Sequence, residues 1–166
     1  LVRKVAGRYE LIAGERRFRA SLLANMDQIP AIIKQVSDKE SFQLAMIENI
    51  EREDLNAIEK ARGYQRLMDE FKLTQEQVAA LFHCSRSAVS NTCRLLNLPA
   101  VIIEAVASNE IEEGHGRTLL GLQFAENQIE LYKKINRYNW SVRELEKRVK
   151  LFNSTTSKKE NRADFS

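Results

Sequence analysis

Residues 73–98 read LTQEQVAALFHCSRSAVSNTCRLLNL, and they decide the fold of the larger part of this 166-residue chain. Apolar residues recur at helical spacing on both sides of a short polar turn, His83-Cys84-Ser85. Ala79 falls where two crossing helices leave room only for a small side chain, and Val89 fills the gap from the second helix. This spacing predicts a helix-turn-helix over residues 74–98.

The start of the second helix carries side chains suited to reading DNA. Ser85 is placed to cap that helix, and polar side chains follow on its outer face: Arg86, Ser87, Ser90 and Asn91. Such groups can donate to guanine, pair with adenine or hold phosphates in the major groove. The alternative is a helical hairpin that only packs. His83 stands where the turn requires a positive φ, which histidine tolerates at modest cost.

Composition places the chain among ordinary globular proteins, with 43% hydrophobic and 30% charged residues. The balance of 26 Lys and Arg against 23 Asp and Glu gives a net charge of +3, which permits a nucleic-acid partner without requiring one. No apolar run approaches the roughly 18 residues of a membrane span, and no signal stretch begins at Leu1. Cys84 and Cys93 are too few for a disulfide framework or a zinc site, so we expect small buried thiols in a reducing cytoplasm.

The chain before the helix-turn-helix changes character near residues 53–56. Residues 9–13 and 29–33 have the pattern of short strands, and residues 15–26 between them have helical spacing. Because of Pro30, the second strand either begins there or lies at an edge. From Ser37 onward the pattern is helical, and Ser37 with Glu40 and Thr74 with Gln77 have the spacing of capping boxes. The sequence predicts an α+β protein: a small α/β module over 1–54, an all-helical domain over 55–152, and a flexible polar tail over 153–166.

A phosphate site is predicted where the first strand gives way to a helix, in the segment GERRFRA at residues 14–20. Gly14 lets the backbone turn and approach a ligand, and free N–H groups at a helix start attract anions. Arg16 and Arg17 add charge-assisted contacts to phosphate oxygens. The alternative is that these arginines only solvate the surface.

A second polar cluster follows at the end of the next helix. Glu48 and Asn49 offer the hard oxygen ligands that hold Mg²⁺ beside a nucleotide phosphate, and Arg52 lies one turn beyond. A solvated helix end would have the same composition, so the residues alone leave both interpretations open.

Four segments together carry a family resemblance: GERRFRA (14–20), ENIEREDLNAIEKA (48–61), SRSAVSNTCRLLNLP (85–99) and GHGRTLLGL (114–122). In order and spacing they resemble the ParB family of chromosome and plasmid partition proteins over nearly all of residues 1–150. The resemblance implies an N-terminal module that binds CTP with Mg²⁺ and a helical domain that recognises parS, a palindromic centromere site. CTP binding at parS would close two modules into a sliding clamp, and slow CTP hydrolysis would reset it.

The resemblance also assigns roles residue by residue. It implies a nucleotide site that includes a catalytic Glu15 and comprises Gly14, Glu15, Arg16, Arg17, Asn49 and Arg52, with Glu48 and Asn49 as metal ligands. It implies a DNA surface made of Ser85, Arg86, Ser87, Ser90, Asn91, Thr92, Gly114, His115 and Arg117. For His115 a packed, hydrogen-bonded side chain is the alternative.

The family pattern also sets expectations about partners. They are double-stranded parS DNA, a second copy in a dimer, a ParA-type ATPase reached through an N-terminal tail, and SMC/condensin, in a cytoplasmic, nucleoid-associated protein without a membrane. Against that pattern, we expect a partial N-terminal module that lacks the tail and most of the base-reading segment, with Val2 and Arg3 as a remnant. The C-terminal dimerisation domain is also expected to be absent.

Three rival interpretations remain open. The nucleoid occlusion protein shares this scaffold, but Arg86, Thr92 and Gly114 resemble the partition type, while Asn97 fits neither type. A plain helix-turn-helix repressor would use the first module only as an interaction platform. An enzyme like sulfiredoxin would need a cysteine in the phosphate loop, and residues 14–16 have none.

Overall fold

The protein divides into two units, Leu1–Glu53 and Asp54–Ser166. The structure is a computed structural model that describes residues 1–52 and 54–163, with side chains described outside 155–163. The division falls where the sequence changes character. Each unit is described separately below.

Unit 1 is a three-stranded sheet with two helices. Its elements are β1 (Val2–Val5), β2 (Arg8–Leu11), α1 (Glu15–Leu23), β3 (Ile33–Lys34) and α2 (Asp38–Ile50). The strand order is β2-β1-β3, with β1 antiparallel to β2 and parallel to β3. Ala6 and Gly7 join β1 to β2 with φ values of 48° and 81°, as a two-residue hairpin turn requires.

The strands differ in extent from the sequence prediction. Strand β2 ends at Leu11 rather than at residue 13, and the predicted strand over 29–33 contracts to Ile33–Lys34. Pro30 has no N–H to donate to a ladder, which shortens this edge strand from its N-terminal side. For β1 the sequence analysis named only Val2 and Arg3, as a remnant of a base-reading segment, and it did not predict the hairpin with β2.

Arg3 ties the sheet to the start of α2. Its guanidinium is largely buried and forms two ion pairs of 2.6 Å. One is with Glu10, the residue opposite Arg3 on the neighbouring strand β2, and the other is with Asp38 in the first turn of α2. The pKa of Arg3 is raised, most by its hydrogen bond to Glu10 and next by its hydrogen bond to Asp38. Ser37 caps α2 reciprocally with Glu40, as its sequence predicts.

Unit 2 is helical throughout the part that the structure describes. Capping boxes at Asn56–Glu59 and Thr74–Gln77 begin its first two helices. The elements are α3 (Ala57–Phe71), α4 (Gln75–Leu81), α5 (Arg86–Arg94), a 3₁₀ turn (Leu95–Asn97), α6 (Ala100–Ala107), α7 (Glu113–Leu119), α8 (Ala125–Tyr138) and α9 (Val142–Ala163).

One hydrophobic core holds unit 2 together. Leu95, directly after α5, packs with side chains from α3, α6, α7, α8 and α9. Ile102, Leu119 and Leu145 are fully buried in it, and each such side chain stabilises the fold by roughly 1.5–3 kcal/mol. The residues that follow α5 are therefore anchored in the core, which fixes the position of α5 itself.

The sequence predicts a flexible tail over residues 153–166. Residues 153–163 of that segment instead continue helix α9, which ends at Ala163. That stretch contains neither proline nor glycine, so nothing in its sequence ends the helix. The rest of the predicted tail, 164–166, lies outside the described residues. Within the described part of the chain, no helix is long and apolar enough to cross a membrane.

Candidate nucleotide and DNA interfaces

The turn between α4 and α5 has the geometry that the sequence predicts. His83 adopts a φ of 51°, and its N–H donates to the Ala80 carbonyl at 3.4 Å. The N–H of Cys84 donates to the Ala79 carbonyl at 3.0 Å. These two bonds form a Schellman motif, which ends α4 sharply and directs the chain into α5.

The two helices meet through small and branched side chains. Val78 and Val89 are fully buried, and Ala79 is 4% exposed at the crossing. The Tyr64 ring on α3 lies 5.0 Å from the Phe82 ring at the end of α4. This packing holds α5 rigidly while leaving one side of it open to solvent.

The open side of α5 carries the predicted DNA-reading residues. Ser85 caps the helix by accepting from the Ala88 N–H at 3.1 Å, and its hydroxyl lies 2.9 Å from that of Ser87. Arg86 is exposed and, among the described side chains, forms no ion pair. On a helix of 3.6 residues per turn, four of the predicted residues share this face: Arg86, Ser87, Ser90 and Asn91.

Thr92 differs from that group. It lies one turn after the buried Val89 and is half-buried, so it borders the packed side of α5. Ser90 and Asn91 are also half-buried, whereas Arg86 and Ser87 project into solvent. The structure therefore presents the N-terminal turn of α5 most openly, where a recognition helix contacts base edges.

Three residues predicted to contact DNA lie in the first part of α7: Gly114, His115 and Arg117. Arg117 is exposed on it and pairs with Glu113 one turn earlier at 3.2 Å. A Cβ on Gly114 would lie 2.9 Å from Cγ2 of Val142 in α9. The absence of a side chain at residue 114 is thus required by the α7–α9 contact, whatever DNA contact its backbone makes.

The sequence assigns a DNA contact to His115, and the structure corrects that assignment. The imidazole is 5% exposed, its Nδ1 accepts from the Glu112 N–H at 3.2 Å, and its Nε2 lies 2.9 Å from the Trp140 carbonyl oxygen. Both ring nitrogens are engaged inside the protein. The side chain is the packed histidine of the alternative interpretation and has no free group for DNA.

The phosphate loop of unit 1 is built around Gly14. Its φ of 94° lies in the left-handed region, and α1 starts directly after it without a side-chain cap. Arg17 folds back toward the loop, with Nη2 3.5 Å from the place that a Cβ on Gly14 would take. Arg16 and Arg17 are exposed and form no ion pair within the described part of the chain. Uncapped N–H groups and two uncompensated guanidiniums form a strongly anion-attracting helix start.

Glu15 sits in the same helical turn but is already engaged. Its Oε1 accepts from Arg19 Nε at 2.8 Å, an exposed pair one turn apart on α1. A carboxylate in the first turn of a helix is also stabilised by the positive end of the dipole.

Glu48 and Asn49 are exposed near the end of α2, and Arg52 follows the helix. No hydrogen bond or ion pair joins Glu48 or Asn49 to the arginines of the phosphate loop. Among the residues that the structure describes, no group of three or more His, Cys, Asp or Glu side chains is placed to hold a metal. The two exposed oxygen donors suit a Mg²⁺ ion that takes its remaining ligands from phosphate and water.

An open cavity of about 800 Å³ adjoins the phosphate loop. Gly14 and Arg17 line one side of it, and the remainder is mostly apolar. The apolar lining includes Val2, Leu11, Phe18, Met26, Ile29 and Ile32. Its size is in the range of small-molecule sites, and its charged rim suits a ligand with one anionic end.

Sequence reasoning missed the partners of Arg3 and misplaced the two cysteines. Arg3 lies in β1, where Glu10 and Asp38 engage its guanidinium, and its place in a base-reading strand stays a prediction. Cys84 was expected to be buried and is exposed, while Cys93 is half-buried and that burial raises the pKa of its thiol. The spacing of Arg3, Glu10 and Asp38 in the sequence does not indicate that they form ion pairs, because these pairs depend on the sheet register.

Comparisons with known proteins match both units. The ParB N-terminal domain family matches residues 1–50, and the ParB HTH domain family matches residues 53–154. A probable chromosome-partitioning protein ParB from Neisseria meningitidis is 50% identical over 141 residues, which cover 85% of this chain and 49% of the relative. A nucleoid occlusion protein from Listeria innocua is 45% identical over 141 residues, which cover 85% of this chain and 50% of the relative. The chain spans about half the length of the curated relatives it matches.

A solved structure of a parS complex agrees with these matches. A C-terminally truncated chromosome-partitioning protein ParB from Caulobacter crescentus, complexed to the centromeric parS site, is 36% identical with a TM-score of 0.83. The match covers 90% of this chain and 80% of that one. The truncated Caulobacter protein has also been solved with CTP-gamma-S, at 37% identity and a TM-score of 0.41, over 77% of this chain and 75% of that one.

Proposed function

Because the chain belongs to the ParB family, we propose that it binds a palindromic parS site in chromosome segregation and that CTP controls this binding. The observation that carries the proposal is the exposed N-terminal turn of α5, with Arg86 uncompensated on a rigid helix-turn-helix. The Caulobacter relative solved on parS DNA supports it.

The DNA-reading step rests on the side chains of α5. Arg86 can donate two parallel hydrogen bonds to the O6 and N7 atoms of a guanine, and Asn91 can pair with an adenine in the same way. Ser87 and Ser90 are short enough to bring the helix close to base edges or phosphates. Arg117, on α7, adds a cation for the DNA backbone. Thr92 and the backbone at Gly114 complete the proposed surface.

The nucleotide step rests on the start of α1. Gly14 gives a triphosphate close access to the uncapped N–H groups of the helix, and Arg16 and Arg17 neutralise its charge. The adjoining cavity has room for the nucleoside end. When bound, CTP with Mg²⁺ would supply a phosphoanhydride bond whose cleavage resets the clamp.

Residues of α1 and α2 take the remaining roles in that proposal. Glu48 and Asn49 would hold the metal, with Arg52 near the same phosphates. Glu15 would orient the attacking water, and for this its carboxylate has to leave Arg19, a step with little cost because exposed ion pairs contribute about 0–1 kcal/mol.

The partners follow from the DNA site. A palindrome is bound most simply by a two-fold symmetric dimer, so we propose self-association of two copies on parS. We propose a ParA-type ATPase and SMC/condensin as further partners, and the nucleoid as the location. These proposals concern the whole protein.

Calorimetric titration of Mg-CTP into the chain, alone and with a parS duplex, tests the nucleotide proposal. Arg17→Ala should abolish CTP binding and leave parS affinity unchanged within about twofold. Arg8→Ala is the matched control, because Arg8 is an exposed arginine of the same unit that lies on β2, outside the phosphate loop. Retained CTP affinity in Arg17→Ala would remove the phosphate-loop assignment, and equal binding of CTP and ATP would contradict the choice of base.

A nucleoid occlusion protein is the second candidate, because a Listeria relative of that name matches at 45% identity. Arg86, Thr92 and Gly114 favour the partition type, because they resemble it in the family pattern. Titration against parS and an occlusion-type site in parallel separates the two. A plain repressor would bind its operator equally with and without CTP.

A further inference from the structure

His115 is one of the few polar side chains buried in the described part of unit 2, and it makes two bonds in opposite directions. Its Nδ1 accepts from the Glu112 N–H at the start of α7, and its Nε2 lies 2.9 Å from the carbonyl oxygen of Trp140. Trp140 stands in the connection between α8 and α9, 25 residues away in the chain. One imidazole therefore links the first turn of α7 to that connection.

The two partners define the state of the ring. A backbone N–H can only donate and a carbonyl can only accept, so Nδ1 carries a lone pair and Nε2 carries the proton. His115 occupies the N3 position of α7, where a Glu or Gln usually closes a capping box. A Glu or Gln there could cap Glu112, but the imidazole adds the bond to Trp140.

The glycines on either side of His115 bring two other elements against the same turn. A Cβ on Gly114 would meet Val142 of α9, and a Cβ on Gly116 would lie 3.1 Å from Cδ2 of Leu95. Leu95 is the first residue after the DNA-reading helix α5. The first turn of α7 is thus a junction between the end of α5 and the start of α9, and His115 is its hydrogen-bonded centre.

We propose that His115 is a positioning residue for DNA recognition: by joining the Glu112 N–H to the Trp140 carbonyl, it fixes the first turn of α7 to the connection before α9. Gly116 in the same turn is thereby held against Leu95, which anchors the end of α5. Arg117 on α7 and Arg86 on α5 then keep a fixed position relative to each other when they contact the DNA. Loss of these two hydrogen bonds would leave the charge and the fold of the protein unchanged but would reduce its preference for parS over other DNA sequences. This inference rests on the proposed parS binding.

Two substitutions separate the two ends of the link. His115→Gln keeps an acceptor for the Glu112 N–H but loses the bond to Trp140, whereas His115→Phe keeps a ring and loses both bonds. Glu59→Ala is the matched control, because it removes the equivalent capping acceptor from α3 and leaves α7 untouched. Affinities for a parS duplex and a scrambled duplex of equal length are measured for each variant.

We expect His115→Phe to reduce the ratio of parS to scrambled affinity at least tenfold, with scrambled affinity unchanged within about twofold. His115→Gln should lie between His115→Phe and the unmodified chain, and Glu59→Ala should keep the full ratio. An unchanged ratio in His115→Phe, or an equal loss in Glu59→Ala, would overturn the positioning role.

The ¹⁵N chemical shifts of the His115 ring provide a readout that does not depend on DNA. The proposal requires the neutral ring with its proton on Nε2, and the other tautomer or a charged ring overturns it. If the ring shifts agree but the unmodified chain shows no parS preference, the proposed function fails and the positioning role fails with it. Preference in the unmodified chain with an unchanged ratio in the variants overturns only the positioning role.

Discussion

Gly114 and Val142 approach so closely that a Cβ on Gly114 would lie 2.9 Å from Cγ2 and 3.3 Å from Cγ1 of the valine. The backbone of Gly114 is helical, so the glycine is required by this approach of α7 to α9 and not by its φ angle. The residue that the family resemblance assigns to DNA specificity is therefore also a packing residue.

Gly114→Ala should lower the free energy of unfolding by about 1–3 kcal/mol, because the added methyl would approach Cγ2 of Val142 too closely. Urea unfolding of Gly114→Ala, Val142→Ala and the double variant measures the coupling directly. In the Val142→Ala background the cost of Gly114→Ala should largely disappear. Additive costs would show that the two residues do not compete for the same space.

His83→Gly should raise the free energy of unfolding by about 0.5–1 kcal/mol. The left-handed conformation of a non-glycine residue costs about 1–2 kcal/mol, and the greater chain entropy of glycine in the unfolded state offsets part of the gain. Thermal or urea unfolding gives the value.

Ala80→Gly is the control for that experiment. Ala80 is exposed near the end of α4, so glycine there should cost about 1 kcal/mol. If His83→Gly destabilises the protein as Ala80→Gly does, the left-handed strain at the turn is refuted.

Alkylation with iodoacetamide should distinguish the two cysteines. Cys84 is exposed in the turn before α5, whereas burial of Cys93 raises its pKa and reduces the reactive thiolate at neutral pH. Mass spectrometry should show modification of Cys84 first, by at least tenfold in rate. A parS duplex should slow it, because the turn leads directly into the DNA-reading helix; an unprotected Cys84 argues against that docking.

Features set by local rules were predictable from the sequence. The helix-turn-helix follows from helical spacing and from Ala79 and Val89, and the structure confirms the positive φ at His83. The capping boxes at Ser37 and Thr74 follow from side chains three residues apart. Each depends only on neighbours in the chain, so one sequence suffices.

Features set by distant partners were not predictable. The bond of His115 to Trp140 spans 25 residues, and the pair of Arg3 with Asp38 spans 35. No periodicity marks either one. The family resemblance suggested a DNA contact for His115 because the GHGR segment lies against DNA in that family, while its internal bond depends on the connection between α8 and α9. The strand β3 is shorter than the apolar run over 29–33 predicts, because Pro30 has no N–H to donate to a strand ladder.

The most direct test of the account is the effect of Arg86→Ala on DNA sequence preference, measured by fluorescence anisotropy at two salt concentrations. Base contacts specify and phosphate contacts position, so the variant should lose about 1–3 kcal/mol on a parS duplex and nearly nothing on a scrambled duplex of equal length. Ser154→Ala, at an exposed residue of α9, is the matched control. Equal losses on the two duplexes, or no loss on either, would contradict the assignment of α5 as the helix that reads parS.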